Sequence, residues 1–65
     1  MKIRLNGSER ETASATVAHL LTELHLPPQT VLIECNGLPL RRDEWDAAPL
    51  RDGDAIEVLR ISAGG

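Results

Sequence analysis

Thr16-Val17-Ala18-His19-Leu20-Leu21-Thr22-Glu23-Leu24 decides the fold, because the hydrophobic period changes there. Val17, Leu20, Leu21 and Leu24 stand at i, i+3, i+4 and i+7, one stripe of an amphipathic helix. Thr16, or Ser14 just before it, offers a hydroxyl to cap the first free N–H groups. Pro27-Pro28 cannot continue a helix and sets its limit.

The segments on either side alternate instead. Downstream, Val31, Ile33 and Cys35 fall on one side of an extended run, Leu32 and Glu34 on the other. Asn36-Gly37 suits the positive φ angles of a tight hairpin turn. Leu38-Pro39-Leu40 fits only a short edge strand, since Pro39 has no N–H for an inner ladder. Residues 41–50, which carry Trp45 and Pro49, read as irregular. Asp52-Gly53-Asp54 supplies another turn, and residues 55–61 form the last and strongest strand. Upstream, Lys2 to Leu5 alternates, Asn6-Gly7 gives a hairpin signal, and a weakly marked strand is expected at residues 10–13. The order strand, strand, helix, strand, strand, strand predicts an α+β fold, one helix lying across one face of a sheet.

The final strand fixes which face is which. Ile56 and Val58 share one side; Glu57, Leu59 and Ile61 share the other. Burying Glu57 without a partner would be costly, so its side faces away from the helix. Leu59 and Ile61 are then apolar yet on the open face, and Leu32 joins them because it shares its side with Glu34. These side chains make a candidate docking patch.

Composition narrows the function. Sixty-five residues make one domain, near the lower limit at which a single core offsets chain entropy. The lone cysteine, Cys35, excludes an internal disulfide and a cysteine-based zinc cage, and fits a reducing cytoplasm. No apolar run reaches membrane-spanning length, and Met1-Lys2-Ile3-Arg4 lacks the long apolar segment that a signal peptide would need, so none is expected. With a net charge of −3, no basic stripe and a single aromatic residue, nucleic-acid binding is not expected.

Few residues offer chemistry. Cys35 shares the side of Val31 and Ile33 and reads as structural. His19 and His25 read as surface residues, Asp52-Gly53-Asp54 as turn chemistry lacking the longer alternation of a calcium loop. Arg42 belongs either to a solvated loop or to a partner contact, and Trp45 is either a lid over a thin core or a recognition residue. Neither a Ser-His-Asp set, nor a carboxylate pair, nor a metal cage is expected. The group that stands out is the α-carboxylate of Gly65, preceded by Gly64. Two residues without Cβ or φ restriction thread a slot too narrow for any other. The expected organisation is a domain over residues 1–61 and a flexible tail over residues 62–65.

In these features the chain resembles the ubiquitin-like β-grasp sulfur carriers of thiamine biosynthesis. The resemblance runs over the whole length. It is carried by Thr16-Val17 with Leu20-Leu21, Asn36-Gly37, Arg42-x-x-Trp45, Leu50-x-Asp52-Gly53-Asp54 and Ala63-Gly64-Gly65. One departure is Arg41, where that family usually has proline. The resemblance implies a mixed sheet of about five strands with one helix, and a protein that is no enzyme itself. It implies an ATP-using, ubiquitin-activating-like adenylyltransferase that turns the Gly65 carboxylate into an acyl-adenylate. A cysteine desulfurase or persulfide protein would supply sulfur, and the resulting thiocarboxylate would serve thiazole synthase. ATP would be used by the partner and no cofactor bound by the chain. A carrier for molybdopterin or cysteine synthesis, and a ubiquitin-like protein modifier, share the Gly-Gly and stay open at this point.

Overall fold

Two Asn-Gly turns frame the sheet in this computed structural model, which describes residues 1–61. Asn6 and Gly7 take φ of 50° and 84°, Asn36 and Gly37 of 52° and 83°. Those are the left-handed positions of a type I′ turn, which asparagine and glycine tolerate. The first turn joins β1 (Lys2–Leu5) to β2 (Ser8–Glu11), with Leu5 opposite Ser8. The second joins β3 (Val31–Cys35) to β4 (Leu38–Leu40), with Cys35 opposite Leu38. Between the hairpins runs β5 (Ala55–Arg60), parallel to β1 and antiparallel to β3. The order β2-β1-β5-β3-β4 puts β4 on an edge, where Pro39 needs no ladder donor. With α1 (Val17–Glu23) across one face, this is the ubiquitin-like β-grasp.

The core lies between α1 and the inner face of the sheet. Val17, Leu20 and Leu21 are buried against Ile3, Val31, Ile33, Ile56 and Val58. Trp45 and Leu50 close the remaining side. Truncating one such residue to alanine costs about 2–5 kcal/mol. A chain of this length has roughly 3–10 kcal/mol in all, so each is close to indispensable.

Several boundaries differ from the sequence reading. The second strand starts at Ser8, not at residue 10, because a two-residue turn pairs Leu5 with Ser8 at once. Thr16 is the cap of α1: its hydroxyl accepts from the His19 N–H at 3.2 Å, while Ser14 bonds elsewhere. The helix stops before the prolines, at Leu24, and His25 reverses the chain at φ 58°. Pro28–Thr30 and Arg42–Glu44 form 3-10 turns, the second inside the stretch that shows no periodicity. β5 ends at Arg60, although the Ile61 N–H still donates to the Thr30 carbonyl at 2.7 Å. The expected tail, residues 62–65 with Gly64 and Gly65, lies outside the described residues.

Candidate functional site

β5 separates its two faces cleanly. Ile56 is 1% exposed and Val58 8%, whereas Leu59 is 50% and Ile61 45% exposed. Leu32, 56% exposed, sits directly opposite Leu59 across the β3–β5 ladder. The patch inferred from alternation is therefore a real cross-strand pair, with Ile61 beside it at the end from which the chain continues toward Gly64. Two positions further along the ladder, Glu34 stands opposite Glu57. Like charges directly opposite destabilise a sheet, and neither joins an ion pair among the described residues. This acidic pair escaped the sequence reading, because register is needed to see it.

Arg42 does not join that patch. It lines a cleft on the helix side with Leu26, Pro28, Trp45 and Asp46, and its guanidinium lies 6.0 Å from the Trp45 ring centroid, the outer limit of a cation–π contact. Trp45 is buried and donates its Nε1–H to the Leu40 carbonyl at 3.3 Å. Of the two readings of this residue, the lid over the core holds. Arg41 occupies the place of the expected proline with φ −75°, an angle proline shares. Its N–H donates to Glu44 Oε1 at 2.8 Å and starts the 3-10 turn.

The other candidates are structural. Burial raises the Cys35 thiol above its ordinary value, as does Asp54, with Arg51 opposing; a thiol so placed is a poor nucleophile. His19 and His25 are exposed, and no cluster among the described residues could hold a metal ion. Asp52 accepts the Lys2 N–H at 2.8 Å, Asp54 accepts that of Arg51 at 2.8 Å, and Gly53 between them takes φ 88°. Turn chemistry accounts for all three. No helix among the described residues is long and apolar enough to cross a membrane.

Residues 3–65 match the ThiS family. This chain belongs to that family. A crystal structure of the thiamine biosynthesis protein ThiS from Geobacter metallireducens superposes with a TM-score of 0.84 at 35% identity, over the full length of both chains. A solution structure of a thiamine biosynthesis protein from the same organism gives 0.82 at 35% identity, over all of this chain and 88% of that one. Two curated proteins named thiazole synthase are also similar. The one from Paramagnetospirillum magneticum is 35% identical over 66 residues, that from Magnetococcus marinus 36%. This ThiS-family chain spans only 20% of the length of each.

Proposed function

We propose that this ThiS-family chain carries sulfur for thiamine biosynthesis as a thiocarboxylate on Gly65. The observation that carries the reading is the family match, which runs on through Gly64 and Gly65. Physical chemistry supplies the logic. A carboxylate is a poor electrophile because it has no leaving group, so it must first be activated. An ATP-using enzyme of the ubiquitin-activating kind forms the acyl-adenylate with release of pyrophosphate. A persulfide sulfur then displaces AMP, and cleavage of the acyl disulfide by a thiol leaves the thiocarboxylate. Thiazole synthase is the acceptor; similarity to two longer proteins of that name supports it.

In this reading the chain is a co-substrate of its partners in the cytoplasm, and its surface does the recognition. Leu32, Leu59 and Ile61 dock the adenylating enzyme. Arg42, exposed on the helix side, contacts a partner separately. Gly64 lets the reacting end enter a narrow slot. Intact-mass spectrometry of the protein, co-expressed with its activating enzyme and sulfur donor, tests this: a fraction should carry one oxygen replaced by sulfur, localised to Gly65. If only unmodified chain and lysine-linked adducts are found, the carrier reading fails and a protein modifier takes its place.

A further inference from the structure

Both turn asparagines reach across to the same strand. Asn6 Oδ1 accepts the Val58 N–H at 2.7 Å, and Asn6 Nδ2 donates to the Val58 carbonyl at 3.3 Å. Its own backbone N–H donates to the Ile56 carbonyl at 2.9 Å. From the other side, Asn36 Oδ1 accepts the Ala55 N–H at 2.9 Å, and Asn36 Nδ2 donates to Asp54 Oδ1 at 3.1 Å. The Asn36 N–H donates to the Ala55 carbonyl at 2.7 Å. The two carboxamides thus latch β5 on both flanks. Each clamp uses a donor and an acceptor together, which the amide side chain supplies from two separate atoms, Nδ2 and Oδ1. Both asparagines are exposed, and each is followed by glycine, whose nitrogen is uncrowded by a Cβ.

We propose that Asn6 and Asn36 are paired hydrolytic modification sites, where deamidation unlatches β5 and the latch in turn sets the rate of deamidation. The reagent is water. The backbone nitrogen of Gly7 or Gly37 gives its proton to water and attacks the asparagine Cγ; a C–N bond forms, the Cγ–Nδ2 bond breaks, and Nδ2 takes up a proton from water and leaves as ammonia. Water then opens the succinimide at either carbonyl, giving aspartate or isoaspartate. While β5 is docked, the carboxamide plane is held by bonds at both its oxygen and its nitrogen, which restrains Cγ from swinging onto the glycine nitrogen. Once β5 opens, that restraint is gone.

The aspartate product re-latches only in part: it still accepts the Val58 or Ala55 N–H but has nothing to donate. An ionised carboxylate only accepts, so at position 6 it faces the Val58 carbonyl without a proton between them, and at position 36 it faces the carboxylate of Asp54. Isoaspartate also adds a backbone methylene to a turn whose register leaves no spare length. One opening event is thereby made permanent in the strand that leads to the reacting end.

Peptide mapping of the intact chain held at 37 °C and pH 7.4, with and without urea, reads the first half. Deamidation at both sites should be at least tenfold slower folded than unfolded, and Val58→Ala, held at a temperature where its melt shows it still folded, should loosen β5 and speed the two sites together. Equal rates folded and unfolded, or no response to Val58→Ala, would overturn the latch. Ion exchange separates the singly deamidated chain for the second half, with Asn36→Asp as an independent variant. Both should melt lower and lose amide-exchange protection at Val58 or Ala55. Unchanged protection in both would overturn the unlatching.

Discussion

Glu23 sits at the end of α1 and gathers the segment that leads into it. It accepts from the Thr12 hydroxyl at 2.5 Å, the Ser14 hydroxyl at 2.7 Å and Arg10 Nη2 at 2.8 Å. The two hydroxyls and then the guanidinium stabilise its charged form, so its pKa falls from 4.5 to about 2. A carboxyl held below its unfolded value contributes stability above that value and loses it as the pH falls through the folded one. The contribution is therefore whole above pH 4.5 and fades toward pH 2. Glu23→Gln should melt below the parent at pH 7, and the gap between the two should close on acidification to pH 2. Asp43, also held low by its bond to Arg41, titrates in both proteins and cancels in the comparison. Thermal melts across that range check it; a gap that persists unchanged at pH 2 would mean that charge on Glu23 plays no part. None of this network was legible in the sequence, since Arg10, Thr12 and Glu23 meet only once the helix has crossed the sheet. The asparagines illustrate the same limit. Asn-Gly announces a turn, but nothing local says that its side chain will bond a strand fifty residues on.

At the scale of elements, β5 offers a sharper test. Ile56→Asp places a charge without a partner against α1, at a cost of about 3–5 kcal/mol, comparable with the whole stability of so small a domain. Leu59→Asp puts the same charge on the wet side of the same strand, and should cost the fold no more than about 1 kcal/mol. In the proposed carrier it should nonetheless cut adenylation by at least tenfold, because central apolar anchors carry a disproportionate share of binding energy. Melts and adenylation rates on both variants decide. Comparable unfolding by Leu59→Asp would show that the open face is structural. This division of faces was legible beforehand because one charged residue, Glu57, fixes the phase of a period-two pattern. The helix was legible for the same kind of reason, four apolar residues in one stripe. Where periodicity is missing, the reading lost precision: β2 was displaced by two residues, and the placement of Arg42 on the helix side, behind Trp45, had no signal in residues 41–50.

For the molecule as a whole, recognition and chemistry are assigned to different parts of the chain. Among the described residues the buried core runs from Ile3 to Val58. The proposed chemistry, by contrast, requires a carboxylate at Gly65 and at a fixed reach from the docking patch. Deleting Gly65, or adding one residue after it, should leave the melting curve unchanged and abolish thiazole formation in a reconstituted assay. Gly64→Val should behave alike, since a β-branched side chain restricts the backbone and adds bulk where the end must enter an active site. The order of failure matters as much as the failure. The extended chain keeps Leu32, Leu59 and Ile61, so it should still bind the adenylating enzyme and compete with the parent chain for it, while accepting no AMP at Gly65. A competitor that binds and cannot react would separate docking from chemistry in one molecule. Full activity of the extended chain would instead mean that the sulfur is carried elsewhere, and Gly65 would lose its assigned role.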